Sequence, residues 1–128
     1  DKDKGLSDFK KFSKTVAREL KNHQWEDILG RCEPDHYQIQ VEEIGMSQAQ
    51  YVAELFGLHM KGNNITRGDF LDYSDLELIK KARFKKFARD GIFHTAEGFV
   101  KLTDGTKLTI SIMAVEHEDG FFLTGAVG

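Results

Sequence analysis

Cysteine is almost absent from this chain, since Cys32 is the only one among 128 residues. A single cysteine cannot form an intramolecular disulfide, and without a second thiol the cysteine-rich zinc sites are excluded as well. Long hydrophobic runs are also missing. No stretch approaches the roughly 18 apolar residues that a membrane-spanning helix needs, and we therefore expect no transmembrane segment.

An excess of charge of either sign is lacking too. The chain has 18 basic and 21 acidic residues, which gives a net charge of −3. A nucleic-acid-binding domain usually carries a positive balance, so this composition disfavours a DNA or RNA partner. No catalytic or metal-binding motif stands out from the sequence, and we expect no cofactor.

The length and the aromatic content indicate one packed domain over residues 1–128. Ten Phe, three Tyr and one Trp supply large core groups, and a chain of this size suits a single core. Residues 1–5 are charged and lack an apolar pattern, so they are predicted to be a flexible end. Such a start fits an exported or lipid-anchored protein and a cytoplasmic one equally well.

Three Asp-Gly dipeptides organise the last third of the chain, at Asp90-Gly91, Asp104-Gly105 and Asp119-Gly120. Asp-Gly favours the positive φ angles of a two-residue type I′ hairpin turn. The C-terminal half is therefore predicted to be a four-stranded antiparallel meander. The fold class that follows is α+β, with three N-terminal helices packed on a curved, mostly antiparallel sheet.

The first half of the chain carries the helical signals. Apolar residues recur at helical spacing after Ser7, which is a candidate N-cap, and Asn22 is a candidate cap for a short second helix. Alternation over Tyr37–Val41 predicts a half-buried strand. Ser47 and Gln50 form a capping box before a third helix.

Two segments link the helices to the meander. Residues 61–75 are rich in turn formers and predict a loop. Residues 76–89 have good helix propensity, but they also fit a period of two, and the Asp90-Gly91 turn requires a strand before it. We predict a strand.

Tight two-residue turns would place residue 89 opposite 92, residue 103 opposite 106 and residue 118 opposite 121. One face is then apolar and must lie against the helices: Leu78, Ala82, Phe84, Phe93, Phe99, Leu108, Ile110, Ile112, Ala114, Leu123 and Val127. The other face is mixed, and its apolar members are Phe87, Ile92, Val100, Met113, Val115 and Phe122. An exposed apolar patch of this extent indicates an interface, so a homodimer through the sheet is expected.

The predicted element order resembles that of the nuclear transport factor 2-like superfamily, and the resemblance covers most of the chain. It is strongest where LTDGTKLTISI at 102–112 precedes EDGFFLTGA at 118–126, which is similar to the closing hairpins of small bacterial members. The resemblance implies a cone-shaped, cystatin-like α+β fold, frequent dimerisation and a pocket between sheet and helices. The superfamily includes isomerases, dehydratases, cyclases, ligand binders and structural modules, so the fold does not select a function.

Glu97 is the candidate catalytic residue, because the predicted register places it on the apolar face opposite Ile112 and Phe84. A carboxylate buried there would have a raised pKa suited to acid-base chemistry. The alternative is a one-residue bulge beside Gly98, which would turn Glu97 to solvent near Lys86.

Aromatic side chains are the candidates for a pocket that takes a small apolar ligand, with ordinary core packing as the alternative. The predicted lining consists of Trp25, Tyr37, Tyr51, Phe56, Phe84, Glu97, Phe99 and Ile112. His94 and His117 lie diagonally on the mixed face, but two histidines alone make a poor metal site, and we predict no metal.

Three functions stay open. The leading hypothesis is a dimeric, non-enzymatic binding or interaction module. The first alternative is an isomerase or dehydratase with Glu97 as base and Tyr37 or Tyr51 as hydrogen-bond donor. The second is an envelope-tethered scaffold protein.

Overall fold

A computed structural model of the chain describes residues 2–57 and 73–124. It confirms the predicted α+β class, with the helices at the N-terminus packed on a four-stranded antiparallel sheet. The elements are α1 (Lys2–Lys21), α2 (Trp25–Leu29), α3 (Pro34–Tyr37), a π-helix (Gln38–Glu43), α4 (Gln48–Gly57), a 3-10 helix (Tyr73–Leu78), β1 (Ile79–Asp90), β2 (Phe93–Leu102), β3 (Lys107–His117) and β4 (Gly120–Thr124).

The long helix α1 and helix α4 follow the periodic apolar patterns of the sequence. In α1, Phe9, Val16 and Leu20 are fully buried against the sheet. The helix already begins at Lys2, so Ser7 is not its cap and the expected flexible end is largely helical. At α4 the capping box is confirmed. The backbone N–H of Gln50 donates to Ser47 Oγ at 3.1 Å, and the backbone N–H of Ser47 donates to the side-chain Oε1 of Gln50 at 3.2 Å.

The strand predicted at Tyr37–Val41 is wrong, since these residues are helical. Pro34 occupies the first turn of α3, where its fixed φ favours a helix and its missing N–H costs nothing. The alternating pattern also fits a helix that lies on the surface, and no described strand pairs with these residues. The cap predicted for α2 is wrong too, because Gln24, not Asn22, precedes the helix.

The sheet has the simple order β1-β2-β3-β4, the predicted meander. At the β4 edge of the sheet, a short extended segment around Cys32 pairs with β4 in place of a fifth strand. Leu123 donates to Arg31 O at 2.7 Å and accepts from the Glu33 amide at 2.8 Å, on either side of a parallel bridge between Cys32 and Leu123. Arg31 also forms a two-pronged ion pair with the buried Glu19 of α1, at 2.7 and 2.8 Å. This segment therefore ties α1 to the sheet edge.

Strand β1 begins three residues later than predicted, because Leu76–Leu78 belong to the 3-10 helix. Leu76 is buried and Leu78 is 41% exposed, so the prediction that Leu78 faces the helices is wrong. Most of the loop predicted at 61–75 lies outside the described residues, as does the inward position predicted for Val127.

The second hairpin sets which side chains of β2 point inward. Its loop has three residues, Thr103 to Gly105, rather than two. Leu102 accepts from the Gly105 amide at 3.0 Å and donates to Thr106 O at 2.8 Å. Gly105 has φ of +91°, as in a type I turn followed by a left-handed residue.

The extra loop residue shifts the β2–β3 register by one, so that Gly98 and not Phe99 lies opposite Ile110. A shift of one residue moves every side chain of a strand to the other face. In β2, therefore, His94, Ala96 and Val100 face the helices and are fully buried. Phe93 and Phe99, predicted to point inward, and Glu97 lie on the opposite face, which we call the outer face.

The other two hairpins also turn at positions different from those predicted. Asp90 pairs with Phe93 around a Gly91–Ile92 loop, and His117 pairs with Gly120 around residues 118 and 119. Each register differs from the prediction by an even number, so these turns alone reverse no face. Accordingly Leu123 is buried as predicted and Phe122 lies on the outer face.

A bulge in β1 lies beside Gly98. The register shifts between Phe84 and Lys86, so that both Phe84 and Phe87 pack toward the helices, whereas Phe87 was predicted on the mixed face. A Cβ atom at Gly98 would lie only 1.8 Å from the carbonyl oxygen of Arg83. Glycine at this position is what allows the bulged strand to approach its neighbour.

We expect Gly98→Ala to destabilise the fold by about 3 kcal/mol, because the methyl group would overlap backbone atoms that cannot move independently. The melting temperature should fall by roughly 10 °C, as measured by circular dichroism. Gly30→Ala is the control, since Gly30 is in the right-handed helical region and its nearest neighbours are 3.5 Å away. Equal melting temperatures for the two variants would contradict the proposed role of Gly98.

Candidate functional site

Four of the eight predicted pocket residues form closed core. Tyr51 and Phe56 are 0% exposed and Ile112 is 1% exposed, so these side chains touch no space large enough for water. Phe84 is buried with them in the same cluster. Trp25 lies at the margin of the core, where its Nε1 donates to Glu77 Oε1 at 3.1 Å and its ring stacks on His23.

Glu97 and Phe99 are separated from these residues by the sheet. Glu97 pairs in register with Ser111 on β3 and with Lys86 on β1. The three groups suggested for an enzyme, Glu97, Tyr37 and Tyr51, therefore do not converge on one volume, because both tyrosines lie on the helix side.

A polar chain does exist on the helix side, between α3, α4 and the Cys32 segment. His36 Nδ1 is 2.7 Å from the Tyr51 hydroxyl, and the Tyr37 ring meets Tyr51 edge-on at 5.3 Å. The Tyr37 hydroxyl accepts from Gln48 Nε2 at 2.9 Å. These contacts join α3 to α4.

The electrostatics around these hydrogen-bonded side chains favour neutral groups. Burial raises the pKa of Cys32 to about 12, so its thiol is protonated and is a poor nucleophile at neutral pH. Burial, reinforced by the neighbouring Cys32, raises the pKa of Tyr51 well above its ordinary value. Burial also raises the pKa of Glu54, and the nearby His36 opposes that rise. The arrangement suits a structural hydrogen-bonded junction better than covalent catalysis.

The outer face carries the exposed apolar surface that was predicted for an interface, with a corrected membership. Val100 and Phe87 point inward, and Phe93 replaces them, with 45% of its surface exposed. Phe93 pairs with Val115, and Val115 pairs with Phe122, so the three side chains form one row across β2, β3 and β4.

An open groove of about 430 Å³ lies next to this row and is mostly apolar. Its lining consists of Ala88, Arg89, Asp90, Phe93, Thr95, Met113 and Thr124. Sequence reasoning missed this groove because the register error had placed Phe93 among the helices.

At the other end of the outer face, Phe99 is surrounded by lysines. The Nζ atoms of Lys107, Lys85 and Lys81 lie 4.3, 4.8 and 6.0 Å from the centre of its ring. Ammonium groups at these distances are attracted by the ring quadrupole. The three ammonium groups around the ring form a basic surface.

His94 is a buried polar residue that the predicted register placed on the wrong face of the sheet. It was expected beside His117 on the mixed face, but it is 0% exposed and neither ring nitrogen has a hydrogen-bond partner. Phe9 and Phe121 contact its ring, with centroids 5.0 and 4.9 Å away. His117 lies apart and is hydrogen-bonded to Glu33.

Two features were not found among the described residues 2–57 and 73–124. No group of three or more potential metal ligands occurs among them. None of their helices is long and apolar enough to cross a membrane.

Comparison with known proteins adds no assignment, since no protein-family model, no curated protein and no solved structure matches this chain. The resemblance to the nuclear transport factor 2-like superfamily stays a prediction.

The stability of the fold should depend on the protonation of His94. Burial lowers its pKa, and Arg89 lowers it further, while Glu116 and a backbone contact to Ile92 act in the opposite direction. The unfolded chain therefore binds a proton more readily than the folded chain. The stabilisation is fully present above the ordinary histidine pKa of about 6.5 and is lost as the pH falls toward the lowered folded-state value.

We expect the unfolding free energy to fall more steeply between about pH 7 and pH 5 in the wild type than in His94→Leu or His94→Gln. Urea denaturation at each pH measures it. The two variants differ in polarity but neither titrates, so both should flatten the profile. Profiles parallel to that of the wild type would show that another group causes the pH dependence.

Proposed function

We propose that this chain is a non-enzymatic interaction module that pairs with a second copy through the outer face of its sheet. The observation that carries the proposal is the apolar row beside the groove, in which Phe93 is exposed and Val115 and Phe122 are half-buried. A contiguous apolar patch is rarely exposed on a monomeric protein, and it usually marks an interaction site. Helices α1 and α4 pack on the opposite face.

The size of the face suits a stable dimer. Ten residues of β2 and four strands, at about 3.4 Å per residue and 4.8 Å per strand, give a projected area of roughly 600 Å². Side-chain relief increases the accessible surface above this value, and a typical stable interface removes about 800 Å² per partner.

Dimerisation through the sheet agrees with the expectation from the superfamily resemblance, which we retain as part of the proposal. An enzyme that uses Glu97 with Tyr37 or Tyr51 receives no support from the geometry, since the groups lie on different faces. For a small apolar ligand, the second part of the leading hypothesis, we propose the groove of the outer face, which Phe93 and Met113 line.

Phe93→Lys should weaken the dimer about 30-fold, because an interface aromatic contributes about 2 kcal/mol or more and a buried ammonium is costly. Analytical ultracentrifugation over a concentration series gives the dissociation constant. Ile44→Lys is the matched control, since Ile44 is 66% exposed on the helical side of the molecule. A wild-type chain that stays monomeric at every concentration would contradict the proposal, as would equal weakening by the two variants.

A further inference from the structure

The two ends of the outer face carry opposite charge. The end near the 103–105 loop, called the basic end, carries five basic residues: Lys81, Arg83, Lys85, Lys101 and Lys107. Hydrogen bonding to the side chain of Thr106 and to its backbone amide, the latter at 2.9 Å, holds the pKa of Asp104, the one carboxylate of that loop, below the ordinary value.

The opposite end holds the other two hairpin turns and is called the acidic end. Asp90 lies there on the outer face, opposite Phe93, and Glu118 and Asp119 form the exposed turn between β3 and β4. Arg89 also lies at this end, but its guanidinium packs beside Gly5 on the helix side, and its Nε donates to Gly91 O.

We propose that two copies stack face to face with their strands reversed, so that the acidic end of each copy lies on the basic end of the other. This inference rests on the proposed dimer and adds its orientation. A two-fold axis that crosses the strands at the level of Ala96 produces this stack. The axis lies midway between Phe93 and Phe99, which are separated by about 20 Å along β2.

This orientation matches both the apolar and the charged features of the face. Phe93 and its row come to lie on Phe99 of the other copy, and the acidic turn reaches the lysines that surround Phe99. Those ammonium groups are already held on the ring at 4.3 to 6.0 Å, so less side-chain freedom is lost when the dimer forms.

A stack with parallel strands would instead place lysines on lysines and carboxylates on carboxylates. Like charges held together destabilise an interface, and salt relieves this repulsion. The two orientations therefore predict opposite effects of salt and of charge reversal.

The test compares the wild type with two charge-reversed chains. The double variant Lys85→Glu/Lys107→Glu reverses part of the basic end. The double variant Asp90→Lys/Glu118→Lys reverses the acidic end, and Asp119 is left unchanged to preserve the turn between β3 and β4. All four side chains are exposed. We expect each reversed chain alone to dimerise about tenfold or more weakly than the wild type, and an equimolar mixture of the two to regain the affinity. Sedimentation measures the dissociation constant of each chain alone, and native mass spectrometry measures the heterodimer in the equimolar mixture.

Salt gives an independent measurement on the unaltered protein. Between about 0.05 and 0.5 M salt the wild-type dimer should weaken, since screening removes favourable charge pairs. A dimer that strengthens with salt, or that strengthens when the basic end is reversed, would overturn the reversed orientation and leave the dimer intact. Weakening by the basic-end variant alone would also overturn it, because the acidic end would then not be the occupant. A monomeric wild type would overturn the dimer itself.

Discussion

The three-residue loop between β2 and β3 is the constraint on which the rest of the molecule depends. Because strand side chains alternate, a loop of three residues rather than two decides which half of β2 meets the helices. Gly105, with φ of +91°, makes that loop possible. The loop places His94 in the core and Phe99 among the lysines, so the chemistry of both faces follows from one backbone geometry.

The inward face is closed at a measurable electrostatic cost. His94 has no hydrogen-bond partner for either nitrogen, and burying such a group without one is unfavourable. Its ring, however, fills a place between Phe9 and Phe121 and extends the aromatic packing that joins α1 to the sheet. The neutral imidazole is tolerated there because it behaves as one more flat ring, and the cost rises steeply once it is charged.

Local signals in the sequence predicted the α+β class, the meander and the helix after Ser47, because each depends on neighbours within a few residues. The register depended on how Asp104-Gly105 turns, and Asp-Gly is compatible with both a type I′ turn and a type I turn followed by a left-handed glycine. The pattern at Tyr37–Val41 failed for a related reason, since alternation over five residues fits a strand and also the surface of a short helix. The candidate site inherited the register error: of the eight residues assigned to the pocket, Glu97 and Phe99 lie on the opposite face of the sheet.

The corrected faces shift the functional argument from the interior to the surface. On the helix side, Tyr51 and Cys32 are buried and protonated, with 0% and 4% of their surface exposed, so a substrate would have to displace packed side chains to reach them. The outer face requires no such rearrangement. Its groove, the Phe93 ring and the lysines around Phe99 already face solvent on the strands that carry them. Binding energy there is not spent on opening the core, and for that reason the sheet surface is the stronger basis for a function.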